Sequence, residues 1–179
     1  MSTVQDIANV IGLKFSSDDV RDANKVWGCN CGPTALAVVA GISLEDIRPH
    51  LGKFDSMRYM SPTMMSDAIN SIGLRWSESP LSRGTPSVFA PGCFPPHGLV
   101  RIQWTGPWTQ PGANPKWAYR QTHWIATLTV DGEPLVFDVN NGPSRYQQWA
   151  SEVPPLITKD INRADGGWTF SHLWEVAIP

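Results

Sequence analysis

A thiol set where a glycine turn gives way to an apolar run constrains this chain more than any other feature. Gly28-Cys29-Asn30-Cys31-Gly32-Pro33-Thr34 leads into Ala35-Leu36-Ala37-Val38-Val39-Ala40, and Gly41 closes the run. The pattern predicts a turn followed by a buried helix, with Pro33 at the first helical position, where its missing N–H costs nothing. Cys31 then stands at a helix N-terminus. Unpaired backbone N–H groups and the positive end of the helix dipole both favour thiolate over thiol there. The plain alternative is a small buried cysteine with no chemistry. A partner base separates the two.

Composition narrows the classes before any base is sought. A chain of 179 residues is most simply one domain, spanning 1–179, with enough length to bury a core. Its net charge of -2, with Lys and Arg scattered, leaves no electrostatic footprint for nucleic acid or a membrane surface. The three cysteines, Cys29, Cys31 and Cys93, are an odd number, and the first two are too close for an easy mutual disulfide. Neither a Cys-x-x-Cys pair nor paired histidines offer a zinc or dithiol redox site, and no glycine loop has a phosphate-binding pattern. No signal peptide or membrane-length apolar run is visible, so a cytoplasmic protein without metal or cofactor is expected.

The chain divides by hydrophobic period. Residues 1–73 read as helical: Val4, Ile7, Ala8 and Ile11 recur at helical spacing, and Ser16 or Ser17 can cap a helix through Val20 and Ala23. Ser43 opens a short helix toward His50, and Ser61-Pro62 opens another that Gly73 ends. Residues 74–179 read as strands, at Ser87–Phe89, Leu99–Trp104, Thr122–Val130, Leu135–Val139 and Trp168–Ile178. A long Pro- and Trp-rich loop covers Thr105 to Lys116. Helices first and antiparallel strands second predict an α+β domain with the cysteine helix packed on the sheet.

Of four histidines, His50 and His97 read as solvated residues and His172 as structural, whereas His123 has a partner within reach. Asp131-Gly132 is a hairpin signal between Thr122–Val130 and Glu133–Asn140. If these two residues form the loop, Val130 pairs with Glu133. Counting back sets Ile125 opposite Asp138 and His123 opposite Asn140. Opposed and alternate residues share a sheet face, which makes His123 and Asp138 diagonal neighbours. A three-residue loop would bring Asn141 opposite His123 instead. A carboxylate beside an imidazole fixes its tautomer and stabilises its cation, which a base serving Cys31 requires.

The order Cys31, His123, Asp138, with the cysteine opening a helix and the others on adjacent strands, resembles the papain-like cysteine peptidases. Within that clan it is most similar to the compact C39-like group, and more distantly to phytochelatin synthases. Cys31-Gly32-Pro33-Thr34-Ala35-Leu36-Ala37 is similar to the nucleophile helix, and His123-Trp124-Ile125 with Phe137-Asp138-Val139-Asn140 to the histidine and acid strands. The resemblance spans about residues 24 to 142 and implies a papain-like fold. Cys31 would be nucleophile, His123 base and later acid, and Asp138 the orienting residue, with Asn140 its substitute in another register. The clan's oxyanion glutamine would fall at Lys25, so Asn24 and Asn30 are the nearest amide candidates. Trp108 and Trp124 are candidates for substrate contact, although Trp124 also suits a core strand.

The implied function is a thiol hydrolase cleaving a peptide or isopeptide bond in a peptide or protein substrate through an acyl-enzyme. The alternatives are an acyl or peptidyl transferase with the same triad, and a papain-like binding module with weak turnover.

Overall fold

A computed structural model describes residues 13–79, 94–142, 145–159 and 167–177. Five helices come first: α1 (Ser17–Trp27), α2 (Cys31–Ala40), α3 (Leu44–Ile47), α4 (Phe54–Met57) and α5 (Pro62–Ile72). They are followed by β1 (Arg75–Glu78), β2 (His97–Trp104), α6 (Pro115–Tyr119), β3 (Thr122–Val130) and β4 (Glu133–Phe137). The chain continues through β5 (Gln147–Gln148), α7 (Trp149–Lys159) and β6 (Trp168–Ala177). The strands form one sheet in the order β1-β6-β2-β3-β4-β5, and every neighbouring pair is antiparallel. The domain is α+β.

Local chemistry sets most of the boundaries. Ser16, rather than Ser17, caps α1 in a reciprocal pair with Asp19: each side chain accepts the other residue's backbone N–H. Ser43 and Ser61 cap α3 and α5 one way only, their hydroxyls accepting the N–H of Asp46 and of Met64, and Pro62 takes the first position of α5. Gly41 and Gly73 end α2 and α5 in the left-handed conformation. Asp131 and Gly132 both have positive φ, 51° and 83°, and Val130 pairs with Glu133, as a two-residue hairpin loop demands.

Several boundaries differ from the sequence reading. Helix α2 begins at Cys31, so Pro33 is its third residue; the first four N–H groups of a helix lack intrahelical acceptors, and proline is tolerated there too. His97 opens β2 instead of lying in a loop. The stretch from Thr105 to Lys116 is not loop throughout, since it holds a 3₁₀ turn at Pro107–Thr109 and the start of α6. Strands β1 and β5 and helix α7 were not anticipated; Pro154 and Pro155 inside α7 mask its helical period. The expected helix over Val4–Ile11, the strand Ser87–Phe89 and Cys93 lie outside the described residues.

The sheet is buried on both faces. Against one face pack Leu36, Ile47, Phe54, Met65 and Ile69 from the helices, meeting Trp124, Ala126 and Phe137. The other face joins Val100, Ile102, Ile125, Val136 and Phe170 to Trp149 and Val153 of α7. Among the described residues no helix is long and apolar enough to cross a membrane. Helix α2 lies against β3 and β2, which points its N-terminus at the end of the sheet where β3 begins.

Candidate active site

Cys31 is the first residue of α2, partly exposed, with Asn30 as N-cap. The first helical bond runs from Thr34 N–H to the Asn30 carbonyl (2.9 Å). Ahead of it the N–H groups are free to turn outward, and those of Gly32 and of Trp124 on β3 bond the Cys31 sulfur. Gly32 has no room for a side chain: a Cβ there would lie 2.5 Å from Met60 Cβ and 3.5 Å from Trp124 Cδ1. The glycine lets the thiol-bearing turn close against Met60.

His123 lies on β3 opposite Ile102, and therefore on the sheet face away from α2. Helix and histidine still meet, because β4 pairs with β3 only as far as Phe137 opposite Ala126. Beyond that point Thr122–Ile125 has no β4 neighbour, and Cys31 reaches β3 there. The chain leaving β4 turns at Asp138. His123 Nε2 donates to Asp138 Oδ1 (2.8 Å), and Asn140 N–H donates to the same oxygen (2.9 Å). With Nε2 committed to Asp138, the hydrogen bond between His123 and Cys31 falls to Nδ1. The side chains of His123 and Asp138 are almost wholly buried, at 5% and 2% exposure. The expected contact of His123 with Asp138 is present, although the ladder stops short of it. Asn140 serves through its backbone.

The three groups polarise one another. Burial opposes charge on the Cys31 thiol, but the His123 hydrogen bond and charge, with the Trp124 and Gly32 N–H groups, bring its pKa below the ordinary 9.0. Burial likewise opposes the imidazolium, and Asp138 and the Cys31 thiolate outweigh it, pushing His123 up to about 10. Burial would raise Asp138; the bond to and charge of His123, and the Asn140 N–H, hold it low. All three shifts favour the charged forms, thiolate, imidazolium and carboxylate. Cys29 is the opposite case. Burial and the nearby Cys31 push its pKa up to about 11, against the pull of Arg58, and its Sγ–H donates to the Arg58 carbonyl (2.8 Å).

A small pocket of about 90 Å³ adjoins Cys31, walled by Arg58, Tyr59, Tyr119, Arg120 and Trp124. Trp124 is both core and wall: it is buried, its Nε1 donates to the Met60 carbonyl (2.9 Å), and its edge borders the pocket. Trp108 is elsewhere, folded over Gly106 with its Nε1 on the Trp104 carbonyl (2.8 Å). The amide candidates for an oxyanion also lie off the pocket. Asn30 is buried and spends its Nδ2 on the Val20 carbonyl (3.2 Å); Asn24 is exposed on α1, and Lys25 pairs with Asp22 at the surface. His50 bonds Ser71, His97 donates to the Val176 carbonyl, and His172 sits on β6 opposite Arg101 with its ring 6.4 Å from that of Trp124. Among the described residues no three His, Cys, Asp or Glu side chains converge to hold a metal ion.

Sequence reasoning missed Arg58, Tyr59, Tyr119 and Arg120 as pocket walls, since isolated arginines and tyrosines carry no spacing signal. It also missed the support beneath the acid: Asn141 donates to the buried Glu152 of α7, and Gln147 donates to the Asn141 carbonyl. Comparison with family models, curated proteins and solved structures finds no match to this chain.

Proposed function

We propose that the protein is a thiol hydrolase with a papain-like arrangement, cleaving a peptide or isopeptide bond through an acyl-enzyme on Cys31. The observation that carries this reading is the hydrogen-bonded chain from Cys31 through His123 to Asp138, joining a helix N-terminus to β3 and to the turn that leaves β4. In this mechanism the Cys31 thiolate attacks the carbonyl carbon. The Cys31 N–H, in the first turn of α2 where the helix supplies no acceptor, faces the oxyanion that forms. The imidazolium of His123 protonates the leaving amine, and neutral His123 then takes a proton from the water that releases the acid. Asp138 holds the ring with Nδ1 toward sulfur and balances its charge. An amine or thiol in the place of that water would make the same site a transferase.

Alkylation by iodoacetamide across pH, read cysteine by cysteine by peptide mass spectrometry, tests this. Cys31 should react at pH 6, well below the range of an ordinary thiol, while Cys29 stays unmodified until strongly alkaline pH. His123→Ala should slow Cys31 at pH 6 by about tenfold or more, because a thiol near its ordinary pKa is almost fully protonated there. Equal rates for Cys29 and Cys31, or no effect of His123→Ala, would remove the support for a catalytic thiolate.

A further inference from the structure

Two arginines from separate elements line the Cys31 pocket and a third lies behind its wall, and among the described residues no carboxylate lines it. Arg58 comes from the end of α4 and Arg120 from the end of α6; both stand at the exposed rim beside Tyr59 and Tyr119. Arg101 comes from the middle of β2 and lies behind Tyr119, its guanidinium carbon 5.7 Å from the ring centroid. None of the three has an ion-pair partner among the described residues. The whole chain carries a net charge of -2, so the positive field belongs to this pocket and not to the molecule.

Arg101 and Arg58 are each anomalous as structural residues. Arg101 is only 3% exposed, and a buried charge is ordinarily paired with its opposite. Its hydrogen-bond partners are neutral: Nη1 donates to Ser171 Oγ (2.7 Å), Nη2 to Gln103 Oε1 (3.2 Å), and Nε to nothing among the described residues; Tyr119 and Cys31 act on its charge only through space. Arg58 is a non-glycine residue at φ 57°, a conformation that costs an L-residue free energy. It is pinned there from both ends. Its carbonyl accepts the Cys29 thiol, and its guanidinium donates to the Trp27 carbonyl (3.1 Å) across Gly28. The strained residue thus holds a cation beside the turn that carries the nucleophile.

We propose that this pocket binds a carboxylate of the substrate next to the scissile bond, which makes the substrate an acidic peptide. Arg58 and Arg120 are the specificity-determining contacts, and Arg101 adds its field from beneath Tyr119. The pocket has room for one short side chain or a chain terminus, so the carboxylate belongs either to a Glu or Asp side chain or to a free C-terminus. Arginine matches either geometry with paired N–H donors. The proposal rests on Cys31 as the reacting thiol and adds what that thiol is presented with.

Two alkylating agents of nearly equal shape, iodoacetate and iodoacetamide, differ in carrying a carboxylate or an amide. In both, the Cys31 thiolate forms the C–S bond and iodide leaves. The iodoacetate-to-iodoacetamide rate ratio at Cys31 should exceed that of the same cysteine in the urea-unfolded chain by about tenfold, as one charge-assisted contact provides. It should shrink as salt screens the exposed arginines. Arg120→Gln should lower it severalfold. Arg58→Gln should lower it too, but Arg58 also braces Trp27; Arg120, exposed and outside that brace, keeps the test decisive if that variant misfolds. A ratio equal to that of the unfolded chain overturns the proposal.

Peptide pairs differing as Glu against Gln, and as free against amidated C-terminus, then locate the carboxylate through kcat/KM. Preference for Glu assigns a side chain, and preference for the free terminus assigns a chain end. Cleavage of all four with equal kcat/KM overturns the carboxylate pocket and leaves the hydrolase standing. A raised iodoacetate ratio with no peptide cleaved does the reverse.

Discussion

Asp138 holds two hydrogen bonds on one oxygen and none on the other: Oδ1 accepts from His123 and Asn140, while Oδ2 is buried without a partner among the described residues. Its charge, more than its shape, is what the site uses. Asp138→Asn keeps the volume and an acceptor but removes the charge that holds His123 protonated. We therefore predict that Asp138→Asn lowers kcat/KM at neutral pH by about a hundredfold or more and slows Cys31 alkylation at pH 6, with thermal unfolding still cooperative. Full alkylation reactivity in that variant would show that Asp138 does not support the pair. At this scale the sequence was most legible for Cys31, His123 and Asp138, because a helix start and a hairpin register are local patterns. Asn24, Asn30 and Trp108 could not be placed that way. The partner that claims each side chain, such as the Val20 carbonyl for Asn30, is set by tertiary packing.

Elements decide whether those residues meet. Helix α2 packs on one sheet face while His123 issues from the other, and the early end of β4 at Phe137 opens the passage between them. Packing at the start of α2 is tightest at Gly32, where Met60 leaves no space for a methyl group. Gly32→Ala should cost about 1–3 kcal/mol of stability by overpacking. It should also slow Cys31 alkylation at pH 6 more than that loss of folded protein explains, since the thiol-bearing turn must shift away from Met60. Urea unfolding and alkylation on one preparation separate the two effects; a stability loss with unchanged thiol reactivity would show that Gly32 serves packing alone. Capped and glycine-ended helices were readable from residues a few positions apart. Strands β1 and β5 and helix α7 were not, because their order comes from partners distant in sequence, as when Arg75–Glu78 adds to the β6 edge.

Across the whole molecule the Cys31–His123 pair leaves a signature in the pH dependence of stability. Cys31 is lowered and His123 is raised to about 10 in the folded chain; with the proposed thiolate–imidazolium interaction formed, the pair holds one proton over the neutral range. Unfolded, with ordinary values of 6.5 and 9.0, it holds two protons below pH 6.5, one between, and none above 9.0. Stability rises with pH wherever the unfolded chain binds more protons, and falls where it binds fewer. The contribution of the pair should therefore climb to about pH 6.5, stay level to about 9, and fall beyond. Cys31→Ala removes the compensating thiolate. His123, raised by Asp138, then contributes fully below pH 6.5, and that contribution is lost as pH rises toward its folded value. The variant should lose stability from about pH 6.5 upward, with a slope of up to about 1.4 kcal/mol per pH unit. Urea unfolding of both proteins from pH 5.5 to 9.5 checks this, and parallel curves would show that the thiolate–imidazolium pair does not form.

The sequence by itself determined the α+β class, the helix caps, the hairpin register and the nearness of His123 to Asp138. Each follows from steric and hydrogen-bonding rules that act over a few residues or one turn. Only the tertiary structure decided that the sheet is covered on both faces, that Asn30 turns away from the site, and that Arg58 and Arg120 line a pocket, with Arg101 behind Tyr119, where no described carboxylate lies. Those outcomes depend on which distant surfaces pack together. A charge or an amide has no address in sequence until packing has determined what lies beside it.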